Sequence, residues 1–460
     1  MLFYKFSFSF VKFVDMKRIA TLFSALFLCV AATAQSYVPS PENLQARKEF
    51  QQHRLGIFLH WGLYATYAQG EWYLQTAGLN KDDYAVATQY FNPVKYDARA
   101  WARAFKDSGA GYVTLTSRHH DGFSMFPSAA TDYDIIDATP FGRDIVGELA
   151  KACAEEGLDY HLYYSLVDWV REDYPLGETG HKTGRKGDQQ DYGHYFQFMK
   201  DQVRELITQY PNLAALWFDG VWDHDPDPGF DWRMPEFYSY IHGLKPELLI
   251  GNNHHKAPIE GEDFQMFERD LPGENKAGMS GESTVSALPL EMCETMNSAW
   301  GYRIADPWYK SVKELVHLLV RAAAKNSNLL INIGPMANGE LPHQALDRLA
   351  GIGVWMRGHS IAVDGTTATT IPEQPWGVTT QNAESLFLHI LAPEALPVRD
   401  GVCKLTVPLP SGLTPARKGA VSLLSDAPLA YDLSKDGFLT VTLPQTQLED
   451  IDTVIKIRLQ

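Results

Sequence analysis

Eight short apolar runs, at residues 55–61, 112–116, 158–165, 213–219, 248–253, 264–268, 290–296 and 329–335, constrain this chain more than any other feature. Each has the length of a strand. Most are separated by stretches in which apolar residues recur with the helical period, at 98–107, 145–156, 192–210, 312–324 and 344–357. Strands that alternate with helices build parallel sheets, because a parallel partner is reached only through a long crossover. Eight such units predict a (β/α)8 barrel. Asp188 and Ser311 read as early helix or cap signals, and Gly109 and Gly157 stand where helices should stop. The stretches after the fifth and sixth runs carry no clear helical period, so that half of the barrel is expected to be irregular.

The fourth run carries the first chemical signal. Leu213-Ala214-Ala215-Leu216-Trp217-Phe218 is apolar and ends abruptly in Asp219-Gly220. A buried parallel strand looks like this when its last residue is delivered to a site, with glycine free to turn or to approach a ligand. Trp217 and Trp222 set flat apolar surface beside the carboxylate, which suits a sugar with its apolar faces and polar rim. Other runs also end in polar residues: His60, His119 and His120, Tyr164, Asn253 and Glu268. A single strand-end histidine is more often hydrogen-bonded structure than a ligand contact, and a single strand-end aspartate is as often a cap or an ion-pair partner. The accumulation carries the argument, since the carboxyl ends of barrel strands hold the chemistry. The 11 Trp and 22 Tyr agree with carbohydrate handling and equally with a large core.

After about residue 360 the pattern changes to short alternating runs, as at 386–390, 402–407, 420–424 and 453–457, punctuated by Pro and Gly. This predicts an antiparallel β-sandwich without a catalytic cluster. The expected organisation is a barrel over 35–359 and a sandwich over 360–460. Residues 1–34 read as a signal peptide, with Met16-Lys17-Arg18 as the basic region, 19–30 as the apolar region and Ala32-Thr33-Ala34 as the cleavage site. Met16 alone could open it. A lipoprotein reading at Cys29 is disfavoured by Leu28, so the expectation is plain export to the periplasm or exterior, with no membrane span. The formal net charge of −16 repels phosphate backbones, so nucleic acid is not an expected partner. The other cysteines, Cys153, Cys293 and Cys403, are too scattered for a disulfide framework or a zinc cluster.

Several of these stretches together resemble the α-L-fucosidases of glycoside hydrolase family 29. They are His60-Trp61-Gly62-Leu63-Tyr64, Gly70-Glu71-Trp72-Tyr73 and Ser117-Arg118-His119-His120-Asp121-Gly122-Phe123, then Trp217-Phe218-Asp219-Gly220, Ser298-Ala299-Trp300-Gly301-Tyr302 and Asn328-Leu329-Leu330-Ile331-Asn332-Ile333-Gly334-Pro335. The resemblance implies a (β/α)8-like barrel followed by a β-sandwich, and retaining hydrolysis of terminal α-L-fucose from glycans, without metal or cofactor. It implies Asp219 as nucleophile. Glu268 is the closest match to the acid/base, with Glu291 and Glu294 as rivals, and its separation from Asp219 suits the family's barrel. A direct Glu268–Arg269 pair is disfavoured because adjacent strand residues point to opposite faces. By the same match, His60, Glu71, Trp72, His119 and His120 hold the sugar hydroxyls, Tyr164 and Trp217 line the pocket, and Trp300 meets the apolar side with its methyl group. The chain departs from relatives that carry an arginine near the end of strand five. Asn252-Asn253-His254-His255 stands there, with His254 the candidate for that role.

Retaining chemistry needs an ionised nucleophile and a protonated acid about 5–5.5 Å apart. Two other classes compete. A zinc hydrolase could recruit His60, His119, His120, His254, His255 and Asp219, but strand one ends in His-Trp-Gly and lacks the His-x-His expected of such barrels. A non-enzymatic fucose-binding protein would not require both carboxylates. Within the retaining class, an α-L-galactoside differs from the fucoside only at C6.

Overall fold

The computed structural model describes residues 37–279, 284–410, 413–416 and 420–460. The signal-peptide and lipoprotein readings of 1–34 lie outside them. The eight apolar runs form eight strands: β1 (Leu55–Leu59), β2 (Tyr112–Arg118), β3 (Asp159–Ser165), β4 (Leu213–Asp219), β5 (Leu249–Asn253), β6 (Gln265–Glu268), β7 (Leu290–Thr295) and β8 (Ser327–Ile333). They make one parallel sheet of order β5-β4-β3-β2-β1-β8-β7-β6, a nearly closed barrel. At the β5/β6 seam no ladder forms. Asp263 bridges it instead. Its backbone N–H donates to the Ile250 carbonyl at 2.7 Å, and its carboxylate accepts the Ile250 N–H at 2.7 Å.

Alternation along each strand sorts the side chains. Phe58, Tyr163, Trp217 and Cys293 pack inside the barrel, where Phe50 joins them from the helix Pro41–Phe50. Leu59, Tyr164, Leu216 and Phe218 belong to the outer layer beneath the helices. Those helices start where side chains can cap them. Asp97 and Asp144 accept backbone N–H groups of the helices Ala98–Asp107 and Ile145–Glu156. Ser311 and Glu314 form a reciprocal capping box for Val312–Ala323. Asp188 is not a cap. The helix Tyr192–Gln209 starts later, and Asp191, extended and with its carboxylate on the His194 N–H at 3.0 Å, caps it. The irregular half falls where the missing periodicity put it, since among the described residues no helix separates β5 from β6 or β6 from β7.

Beyond the last barrel helix, His343–His359, the strands are antiparallel. One sheet runs Val421–Leu423, Thr453–Arg458, Ser385–Ile390, Gly377–Gln381, Thr367–Ala368. The other runs Val398–Arg399, Val402–Pro408, Phe438–Pro444, Ala430–Leu433. In Val402–Pro408 alternate residues Cys403, Leu405 and Val407 are buried in the core between the sheets. Ser385–Ile390 is buried on both faces. Leu386 and Leu388 enter the core between the sheets, while Phe387 packs on Ala362 just past the barrel. On that same face His389 joins Asp452 at 2.8 Å and the Thr380 hydroxyl at 3.0 Å, and Thr380 donates to the Ala362 carbonyl. This Asp-His-Thr chain is sealed from solvent and serves as a joint.

Candidate active site

A cavity of about 430 Å3 opens at the carboxyl ends of the barrel strands. His60, Glu71, Trp72, His119, His120, Trp217, Asp219, His254, Glu268 and Trp300 all border it. Of the expected site residues only Tyr164 is absent. It sits one position past the inward-facing Tyr163, so the pleat turns it outward, where its hydroxyl donates to Gln202 at 2.9 Å. Tyr163 occupies the pocket instead, and its hydroxyl donates to Asp219 at 2.9 Å.

Asp219 ends β4, and Gly220 follows at φ +117°, a backbone turn that a Cβ would obstruct against Val167. One carboxylate oxygen accepts the Tyr163 hydroxyl, and the other accepts the Trp222 indole N–H at 2.9 Å. The His120 ring lies 3.5 Å away. Burial, and then the nearby charge of Glu268, push the Asp219 carboxyl up to about 7, against the hydrogen bonds from Trp222, Tyr163 and Asn253. Glu268 accepts the Asn253 amide at 2.8 Å, with the His255 ring 3.6 Å away. Asn253 is also the register partner of Asp219 on the neighbouring strand, so it stands between these two carboxylates.

The rival carboxylates are elsewhere. Glu291 is buried inside the barrel, accepting Tyr112 at 2.6 Å and Trp217 at 2.9 Å, and burial pushes it up to about 7. Glu294 turns to the outer face of β7, 3.4 Å from the Lys310 ammonium. Neither borders the cavity.

Burial keeps three pocket imidazoles neutral, pushing His60 and His120 down to about 3 and His119 well below its ordinary value. Hydrogen bonding fixes two tautomers. Asn332 donates its amide N–H to the Trp300 carbonyl, so its oxygen accepts from His60 Nδ1 at 2.7 Å. Ser165 donates to the Val167 carbonyl, so His120 Nδ1 donates to Ser165 at 2.7 Å. Both rings then present an unprotonated Nε2, able to accept a hydroxyl proton. Glu71 accepts the Gly301 N–H at 2.7 Å, and burial raises its carboxyl. Trp72 stacks on Trp222 with centroids 5.6 Å apart, and Trp300 lies 5.2 Å from the His60 ring.

His254 does not offer the reach of an arginine. Its Nδ1 accepts the Lys256 N–H at 3.1 Å, so its Nε2 carries the proton and donates to Glu262 at 2.9 Å. His255, at φ +63°, is the residue that approaches Glu268. Tyr163, Trp222, Asn253, His255 and Asn332 thus complete the set. Asn253 is marked as a polar strand end, whereas the inward turn of Tyr163 follows from its register with Trp217 and the reach of His255 depends on a loop turn that leaves no periodic signal. Among the described residues no group of three or more His, Cys, Asp or Glu side chains is arranged to hold a metal ion, and no helix is long and apolar enough to cross a membrane.

Paired carboxylates at the ends of parallel barrel strands, walled by indoles and neutral imidazoles, mark a barrel glycosidase. Comparison narrows the class: the alpha-L-fucosidase family model matches residues 24–360, and the chain belongs to that family, family 29 of the glycoside hydrolases. It is 27% identical to the alpha-L-fucosidase of Dictyostelium discoideum over 95% of this chain and 97% of that one. Its fold matches alpha-L-fucosidase isoenzyme 1 from Paenibacillus thiaminolyticus with a TM-score of 0.78 and 35% identity, covering 91% of this chain and 100% of the other. It also matches a family 29 alpha-L-fucosidase of Bacteroides thetaiotaomicron, solved as a covalent intermediate trapped with 2-fluoro-fucosyl fluoride in a glutamate-to-glutamine mutant, with a TM-score of 0.78, 27% identity and coverage of 93% and 98%.

Proposed function

We propose that this protein removes terminal α-L-fucose from fucosylated oligosaccharides or glycoconjugates with retention of configuration, Asp219 acting as nucleophile and Glu268 as acid/base. The observation that carries the reading is the placement of two carboxylates about one sugar-sized cavity: Asn253, the β5 register partner of Asp219, donates to Glu268, and both Asp219 and Glu268 border the cavity. The Tyr163 and Trp222 donors stabilise the Asp219 anion against its burial. Asp219 then attacks C1 while Glu268 protonates the departing oxygen. Glu268, now ionised, takes a proton from water, and the hydroxide so formed displaces Asp219 from C1. The free Nε2 atoms of His60 and His120 accept sugar hydroxyl protons, and a contact to the 2-hydroxyl tightens as positive charge develops at the anomeric carbon. Trp300 and the Trp72–Trp222 stack supply apolar surface for the methyl-bearing side.

Turnover of an aryl α-L-fucoside by the parent, its loss in Asp219→Asn, and α-fucose as the first product seen by NMR are the expected results. Survival of turnover in Asp219→Asn moves the nucleophile elsewhere, and β-fucose as first product rejects retention. Fucose binding without turnover by the folded parent would instead make the chain a binding protein. We further propose that residues 1–34 are removed on export; N-terminal sequencing of the protein from its own host should begin at Gln35.

A further inference from the structure

A second cavity, of about 500 Å3, adjoins the first and shares Glu71, Trp72 and Trp300 with it. Its other charged lining residues are two arginines, Arg269 and Arg303. In two other cavities the arginines are neutralised: Arg99 by Glu155 and Arg143 by Glu148 in one, Arg171 by Asp173 in another. Among the described residues Arg269 and Arg303 have no carboxylate partner, on a chain whose net charge is −16. Glu71 in the shared wall feels the charge of Arg269 but forms no ion pair with it, and accepts the Gly301 N–H.

Arg269 is held in place. Its backbone takes φ +58°, its guanidinium lies 5.1 Å from the centre of the Trp300 ring, and one terminal nitrogen donates to the Ser298 carbonyl at 2.9 Å. Its Nε is buried and has no acceptor. Arg303 is exposed at the rim, and its backbone is pinned by a bridge to Gln69. Arg269 directly follows Glu268, the residue that must face the leaving oxygen. Because the backbone turns at Arg269, the second cavity meets the first immediately beyond Glu268.

We infer that this second cavity is a leaving-group subsite that selects an anionic sugar, one carrying a carboxylate or a sulfate ester next to the fucose, through Arg269 and Arg303. A held guanidinium at Arg269 and a second at the rim, Arg303, can recognise an oxyanion in the plane of their N–H groups, and neither must first be freed from an ion pair. The inference rests on the fucosidase reading above and names its substrate class.

The test measures kcat/KM for three fucosylated oligosaccharides that share a linkage: a neutral one, a sulfated one and one bearing a carboxylate sugar. The parent should favour at least one anionic substrate over the neutral one by about five- to tenfold at low salt. Arg303→Gln and Arg269→Gln should each reduce that ratio toward one, Arg303→Lys should retain part of it, and added salt should compress it. Preference for only the sulfated or only the carboxylate substrate identifies the source of the anion. Equal or slower turnover of both anionic substrates, or a preference that survives both glutamine variants, overturns the inference. Failure of the parent on an aryl fucoside would reject the fucosidase reading itself; success there with no anionic preference would reject only the subsite.

Discussion

Asp219 and Glu268 are exposed to nearly the same degree at the pocket, 12% and 13% of their side chains, yet they are held very differently. Asp219 ends a seven-residue strand hydrogen-bonded on both sides, by β3 and β5, and two side-chain donors grip separate oxygens. Glu268 ends a four-residue strand that is hydrogen-bonded only to β7, and its contacts reach across the unladdered seam from Asn253 and His255. The difference is one of scaffolding and not of burial. A nucleophile that must form a bond to one carbon gains from a fixed position, since misplacement by an ångström is costly. An acid/base exchanges protons with a leaving group and then with water, and so tolerates a looser mount.

The largest effect expected from this contrast is at Asp219. Asp219→Asn should lower kcat by about ten-thousandfold or more, because an amide cannot serve as the carboxylate nucleophile. The same variant should be more heat-stable than the parent at high pH. Burial raises the Asp219 carboxyl from 3.8 to about 7, so its contribution to stability is full below the unfolded value and is lost as pH rises through 7. Melting curves should therefore show a gain for Asp219→Asn that is greater at pH 8 than at pH 5. Next comes Glu268→Gln, which should cost about a hundred- to ten-thousandfold with a poor leaving group. With an aryl fucoside whose leaving group needs no proton, the first step should be nearly normal and a burst of aryl product should precede slow deglycosylation. Equal losses on both substrates would contradict the acid role.

A third break goes to the seam itself. Asp263 is fully buried, pairs with Arg47 at 2.6 Å and takes the place of the missing β5–β6 ladder. Asp263→Ala leaves that guanidinium and the Ile250 N–H without their partner, and should destabilise by about 3 kcal/mol. If the acid/base side is mounted on this seam, activity measured well below the melting temperature should fall further on substrates that need protonation than on activated aryl fucosides.

How far the sequence could carry the reading depends on which half of the barrel is considered. The apolar runs and their alternation specify all eight strands, and the polar strand ends mark His60, Asp219, Asn253 and Glu268. Where a helix follows, its cap residues and period are local signals; the misplaced Asp188 cap is an error of three residues within one polar loop. The roles of His254 and His255 were not legible. Which of two adjacent histidines faces Glu268 is decided by a left-handed turn at His255 and by Glu262, which captures His254 from the far side of a loop. The choice of Tyr164 over Tyr163 is different in kind. The period-two rule was sufficient to settle it, since Tyr163 pairs in register with Trp217, an inward residue.

That adjacent pair of tyrosines offers the smallest but cleanest test of the alternation. Tyr163→Phe removes a donor that favours the Asp219 anion, so the Asp219 carboxyl should titrate higher. The acidic limb of kcat/KM should move to higher pH, by about one unit for a bond worth 1–1.5 kcal/mol. Activity on the plateau above that limb should change little. Tyr164→Phe instead removes the hydroxyl that meets Gln202 beneath the helix Tyr192–Gln209. It should lower stability by about 1 kcal/mol and leave the limb where it was. A shift in the limb from Tyr164→Phe, or none from Tyr163→Phe, would mean that the proton balance of the nucleophile is set through the outer layer of the barrel and not by the inward face of β3.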